Sequence, residues 1–223
     1  MLVFKMGLTD RDNELVQITD AAFASASLRA GDWLVCRMGC TQCCVGAFAI
    51  TALDVARLLR GMTELRTDDP QRAERVLTRA RMWLDEFGAT FPGDPATGVL
   101  GQSDEQIACF EEYANDAVCP ALDPATGGCD LYAWRPMTCR VFGPPVRMDA
   151  GPNEATGEPT SALAHCELCF TTATAEDVAR CEMDLPHELE SSLLEELATA
   201  GRMGETTVAF ALGERSESIN REL

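Results

Sequence analysis

The stretch Cys36-Arg37-Met38-Gly39-Cys40-Thr41-Gln42-Cys43-Cys44 places four cysteines within nine residues, a density that no packed core requires. A thiolate sits about 2.3 Å from a zinc ion, so a tight turn can aim two sulfurs at one metal. Iron–sulfur clusters make the same demand with slightly longer reach. Adjacent side chains diverge, so Cys43 and Cys44 fit best as ligands of different metals or of different corners of one cluster. Two nearby centres, or one polynuclear centre, follow from that adjacency. The expected fold is therefore a single compact domain, mainly α with a small irregular β-hairpin element, organised around a cysteine-ligated metal site.

Composition narrows the partners. The chain has 223 residues, 46% of them hydrophobic, a length that suits one domain. Its 18 basic residues against 36 acidic ones give a formal charge of −18. Such a field repels phosphate backbones and anionic lipid, so neither nucleic acid nor a membrane surface is an expected partner. Metal ions, a cationic protein or a lysine-bearing substrate suit it better. The eleven cysteines are odd in number and cannot all pair internally. The first ten residues lack a sustained apolar stretch, and no apolar run is long enough to span a bilayer. A cytoplasmic location is expected, where thiols stay reduced and clustered cysteines hold metal.

Helical periodicity runs on both sides of the quartet. Asp10 to Ala30 carries Leu15, Ile18, Ala22 and Ala26 near a 3.6 period, and Gly31 stops it. Thr51-Ala52-Leu53-Asp54 has the form of a capping box. Asp69-Pro70 opens a third helix, with Ala73, Val76, Leu77, Ala80, Leu84 and Phe87 on one stripe. A short helix is expected from Ser103 to Ala114, and two more over Ala175–Met183 and His187–Ala200. Val118–Leu122 and Cys129–Tyr132 read as the arms of a small hairpin around Asp123-Pro124-Ala125-Thr126-Gly127-Gly128. The pentapeptide Asp-Pro-Ala-Thr-Gly recurs at Asp94–Gly98 and is taken as incidental. Residues 88–102 and the proline-rich stretch 143–161 read as loops, and Thr206–Leu212 as a late strand. The expected divisions are an N-terminal helical segment over 1–35, a cysteine-cluster domain over 36–170, and a C-terminal helical extension over 171–223.

Five further cysteines complete the candidate set. Cys119, Cys129 and Cys139 are evenly spaced by nine residues, and Cys166-x2-Cys169 follows His165 directly. Cys109 and Cys181 stand alone in expected helices, where a buried thiol is inert. With only two histidines, and neither in a His-Glu-x-x-His string, a histidine-based zinc hydrolase is not expected. No phosphate loop, Gly-x-Ser-x-Gly elbow or kinase signature is present. Pro136 would fix the turn entering Cys139, while Arg135 and Arg140 either offset thiolate charge or pair with carboxylates.

Cys119-Pro120-Ala121-Leu122, Gly128-Cys129-Asp130-Leu131-Tyr132 and Arg135-Pro136-Met137-Thr138-Cys139-Arg140, together with the quartet, resemble the YkgJ-like cysteine-cluster family. That family is described as a zinc- or iron-chelating domain related to flagellin lysine-N-methylases. Ile50-Thr51 with Asp54, Arg57 and Leu58 is similar to its threonine-led helix after the cluster. The usual opening is Cys-x2-Cys-x2-Cys-Cys, and this chain carries one extra residue in the first gap. The resemblance implies Cys36, Cys40, Cys43, Cys44, Cys119, Cys129, Cys139 and Cys166 as metal ligands, with Cys169 or His165 competing for the last place.

The resulting expectation is a metal-binding protein whose cysteines chelate zinc or iron, the latter including a 4Fe-4S cluster. The alternative is a metal-dependent enzyme resembling flagellin lysine-N-methylase and using S-adenosylmethionine. A third reading is an interaction module that metal only braces.

Overall fold

The computed structural model describes residues 7–37, 39–152, 156–201 and 204–213. Its residues fall into two compact units, Met1–Arg37 with Thr138–Leu193, and Met38–Met137 with Leu194–Leu223. The sequence reading has a single domain at this point. As expected, helices dominate, and among the described residues strands occur only in small antiparallel pairs.

In the first unit, α1 (Leu8–Ala30) starts at Gly7 and ends where Gly31 takes a positive φ. Its buried face is Leu15, Thr19, Ala26 and Ala30, while Ile18 is left exposed. Thr19, inside the helix, satisfies its hydroxyl by donating to the Leu15 carbonyl at 2.9 Å. Helix α5 (Met137–Val141) is anchored to α1 by Arg140, whose Nη1 lies 2.9 Å from both carboxylate oxygens of Asp20.

The proline-rich stretch expected as a loop is instead a hairpin, β5 (Val146–Pro152) paired with β6 (Pro159–Ala164). Its prolines sit where no ladder N–H is needed: Pro144 and Pro145 precede β5, and Pro152 faces Pro159 at the far end. Both strands of a two-stranded sheet are edges, so proline is tolerated there. Arg147 ties the hairpin to Glu182 at 2.5 Å, beyond α6 (Ala175–Arg180).

In the second unit, α2 (Ala52–Asp68), α3 (Pro70–Phe87) and α8 (Val208–Leu212) bury Leu58, Met62, Val76, Ala80, Val208 and Leu212 in one core with Ile50, Ala121 and Leu131. A second cluster gathers Trp83, Phe91, Leu100, Tyr113 and Phe210. Helix α4 (Asp104–Glu111) has a Ser103–Gln106 capping box. The late strand is corrected: only Thr206 bridges Ile50, and Val208–Leu212 is helical. A five-residue apolar run, buried throughout, carries no periodicity that separates strand from helix.

The duplicated pentapeptide builds the same turn twice. It closes β1 (Gly93–Asp94) onto β2 (Val99–Leu100), and β3 (Leu122–Asp123) onto β4 (Gly128–Cys129). In each, one aspartate oxygen accepts the N–H two residues on, at 2.8 Å for Asp94 and 3.1 Å for Asp123. The other accepts the threonine hydroxyl, and a glycine with positive φ closes the loop. The repeat is thus a local structural unit, which corrects its reading as incidental. The helix α7 (His187–Thr199) follows the expected span within one residue.

Candidate metal centre

None of the eleven cysteines is in a disulfide. Of the eight expected ligands, Cys40, Cys43, Cys44, Cys119 and Cys129 lie in the second unit, and Cys36, Cys139 and Cys166 in the first. The quartet read as one string is therefore divided after its first member.

In the second unit the backbone brings the thiols into one neighbourhood. The Cys119 amide donates to the Cys44 carbonyl at 2.8 Å, and Val45 bridges Val118, so two cysteine segments are laced side by side. Leu122 pairs with Cys129 across the β3–β4 hairpin, which adds the third segment. A Cβ placed on Gly127 would lie 3.5 Å from Gly39 Cα and 3.9 Å from Thr41 Cγ2. The loop holding Cys40 thus rests on the tip of that hairpin. Cys119 and Cys129 are half-buried against the main core, which fixes their backbone.

The local hydrogen bonds favour thiolate at these sulfurs. Cys119 accepts from the amides of Ala121 and Leu122, and Cys129 from that of Leu131. Burial opposes this, pushing Cys119 up to about 12 and raising Cys129 as well, where the Asp130 charge adds to the rise. Cys43 and Cys44 share a hydrogen bond, so the pair gives up one proton easily and the second with difficulty. Cys43 is the one lowered, to about 6, by the Cys44 thiol, and Arg135 adds a favourable charge. Cys44 is raised by the same hydrogen bond, by burial, and by the nearby Cys43, Cys119 and Cys129. Arg135, which also lies 4.0 Å over the Tyr132 ring, thus acts on the thiols, whereas Arg140 pairs with Asp20.

Two polar clamps hold these segments. Asp54 caps α2 through Thr51, pairs with Arg57 at 2.7 Å, and accepts the Met137 amide at 2.8 Å. The threonine-led helix is thereby tied to Met137, just after Pro136, within the second unit. Asp130, next to Cys129, is gripped by Arg72 and Arg79, and Arg79 also donates to the Pro120 carbonyl at 2.8 Å. Helix α3 therefore holds the segments of both Cys119 and Cys129. Sequence reasoning missed these two arginines, although their seven-residue spacing puts them on one helical face. Asp130→Asn is expected to lower stability by about 2 kcal/mol, because one charged partner is removed from a carboxylate site that water barely reaches. Thermal denaturation checks it, and an unchanged midpoint would show that the clamp contributes nothing.

Among the described residues, no group of three or more His, Cys, Asp or Glu side chains is already arranged to hold a metal ion. The donor set still fits one by its chemistry. Reduced thiols with amide donors aimed at their sulfurs, beside a guanidinium, form a soft-ligand site of the kind zinc and iron take. The comparison with family models agrees. The CxxCxxCC family model, described as "Putative zinc- or iron-chelating domain", matches residues 35–169. The chain belongs to this family. Neither the curated proteins nor the solved structures compared with it include a match. No helix among the described residues is long and apolar enough to cross a membrane.

Proposed function

We propose that the chain chelates zinc or iron, and that the second unit holds the ion through Cys43, Cys44, Cys119 and Cys129, with Cys40 at the rim; the hydrogen bond that Cys43 and Cys44 share brings these adjacent thiols together, against the divergence expected of neighbouring side chains. The observation that carries this reading is the lacing of the three chain segments that bear these four thiols, with the Cys119 amide on the Cys44 carbonyl at 2.8 Å and Leu122 paired with Cys129. Neutral thiols at this spacing repel once ionised, and a divalent cation removes that repulsion. Bound there, the metal would brace the three segments. Amides of Ala121, Leu122 and Leu131 would stabilise the sulfurs, and Arg135 would offset part of the anionic charge. Iron held as a 4Fe-4S cluster is the finer possibility that the same thiols would serve.

The test is zinc affinity by chromophoric competition under reducing conditions. Cys119→Ser with Cys129→Ser should weaken binding by at least about 100-fold, since two strong ligands of four are lost. Unaltered affinity would remove the second unit as the site. The pH dependence has a definite sign. Cys43, lowered to about 6, is ionised at pH 7, whereas Cys44, Cys119 and Cys129 are raised and still hold protons. Zinc must displace those protons, so its affinity should rise with pH and release about three protons per ion between pH 7 and 8. Calorimetry in buffers of different ionisation enthalpy measures that number, and release of none would contradict thiolate ligation.

A further inference from the structure

We infer that a small cavity beside Cys119 holds one structural water, bound by the Thr207 hydroxyl, and that Thr207 positions the Cys119 sulfur through it. The water site stands on its own residues, and its effect on metal binding rests on the chelating reading above.

Thr207 is only 2% exposed, and its Oγ1 is buried without a hydrogen-bond partner among the described residues. A threonine preceding a helix ordinarily turns its hydroxyl onto a first-turn amide. Thr207 stands in that position before α8 and makes no such bond. Leaving a hydroxyl unpaired in a core is costly, so buried ones find a partner in protein or in ordered water. Thr207 lines a cavity of about 20 Å³ that Cys119 also lines, with Phe48, Trp83 and Val208 as apolar walls. One water needs about 10–15 Å³ and at least two polar partners. The volume suits a single water and no organic ligand, and the two partners are the Thr207 hydroxyl and the Cys119 sulfur.

The backbone keeps both residues in place. Thr206 and Ile50 exchange amide bonds at 3.0 and 2.8 Å, and the Ala211 amide donates to the Thr207 carbonyl at 3.0 Å. The Cys119 amide is fixed on the Cys44 carbonyl. A water held by Thr207 donates a proton to the Cys119 sulfur and so sets its direction, as an outer partner does for a metal ligand. Thr207 lies outside residues 35–169, so this contact ties a C-terminal segment to the candidate centre.

The experiment is a crystal structure of the reduced full chain at a resolution that shows single waters, with zinc affinity by chromophoric competition and thermal melting of two variants. An ordered water between Thr207 Oγ1 and Cys119 Sγ is expected, and a dry cavity overturns the site. Thr207→Val keeps the shape and removes the hydroxyl. It should lose the water, lower the melting midpoint and weaken zinc binding about 10-fold. Thr207→Ser keeps the hydroxyl and should retain both the water and the wild-type zinc affinity. A valine variant that melts above the wild type would show a hydroxyl bonded to nothing, which overturns the water. Unaltered zinc affinity with valine, or equal weakening with valine and serine, overturns the positioning role. Should Thr207→Val fail to fold, the wild-type density and the serine affinity decide. A wild type that shows the water and binds no zinc upholds the water site and overturns the chelating reading.

Discussion

Replacing Asp54 by alanine should destabilise the second unit by about 3–5 kcal/mol, the range for breaking a buried ion pair from one side. The side chains of Asp54 and Arg57 are 2% and 1% exposed, so the arginine would keep its charge in the core without this carboxylate. The substitution also removes the α2 cap and the acceptor for the Met137 amide. For a unit of this size the loss corresponds to a fall of about 10–20 °C in the melting midpoint. Asp54→Asn keeps an acceptor for the amides and should lose less. Pairing Asp54→Ala with Arg57→Met should recover part of the loss, because no charge is then left buried. Calorimetric melting of the four proteins tests this, and an Asp54→Ala cost under about 1 kcal/mol would show that the pair is not structural.

Removing the metal should have the larger effect, and a local one. Binding to thiolate sites of this kind is worth on the order of 10 kcal/mol, which is released to the fold when the site assembles. Helices α2, α3 and α8 pack directly on one another through Leu58, Met62, Val76, Ala80 and Leu212, residues outside the cysteine-bearing segments. Chelation is therefore expected to leave α2, α3 and α8 intact while residues 39–46 and 117–131 lose amide protection. Hydrogen exchange with and without a chelator reads this directly. Equal protection of Cys44, Cys119 and Cys129 amides in both states would mean that the ion braces nothing.

Much of this arrangement was legible in the residues, for reasons that differ by element. Thr51 and Asp54 formed the capping box that their spacing requires, and Asp69-Pro70 opened α3 as cap and first turn. Both are signals that a few consecutive residues satisfy alone. The hairpin β5–β6 was hidden because four prolines mark a loop by composition, whereas here they bracket the strands. The helix α8 was hidden because a short run buried on every side has no polar face to set its period. The candidate centre was legible in its residue types but not in its grouping. Cys36 is near Cys40 in sequence, yet its sulfur faces Cys169, a partner 133 positions away that no spacing announces. Arg72 and Arg79 were equally silent, since their partner Asp130 becomes visible only when β4 is placed.

X-ray absorption at the metal edge, on protein purified without oxygen, addresses the central proposal most directly. A sulfur shell near 2.3 Å is expected around zinc or iron, diminished when Cys119 and Cys129 are both serine. An ion surrounded only by oxygen and nitrogen, or a sulfur shell that those substitutions leave untouched, would contradict it.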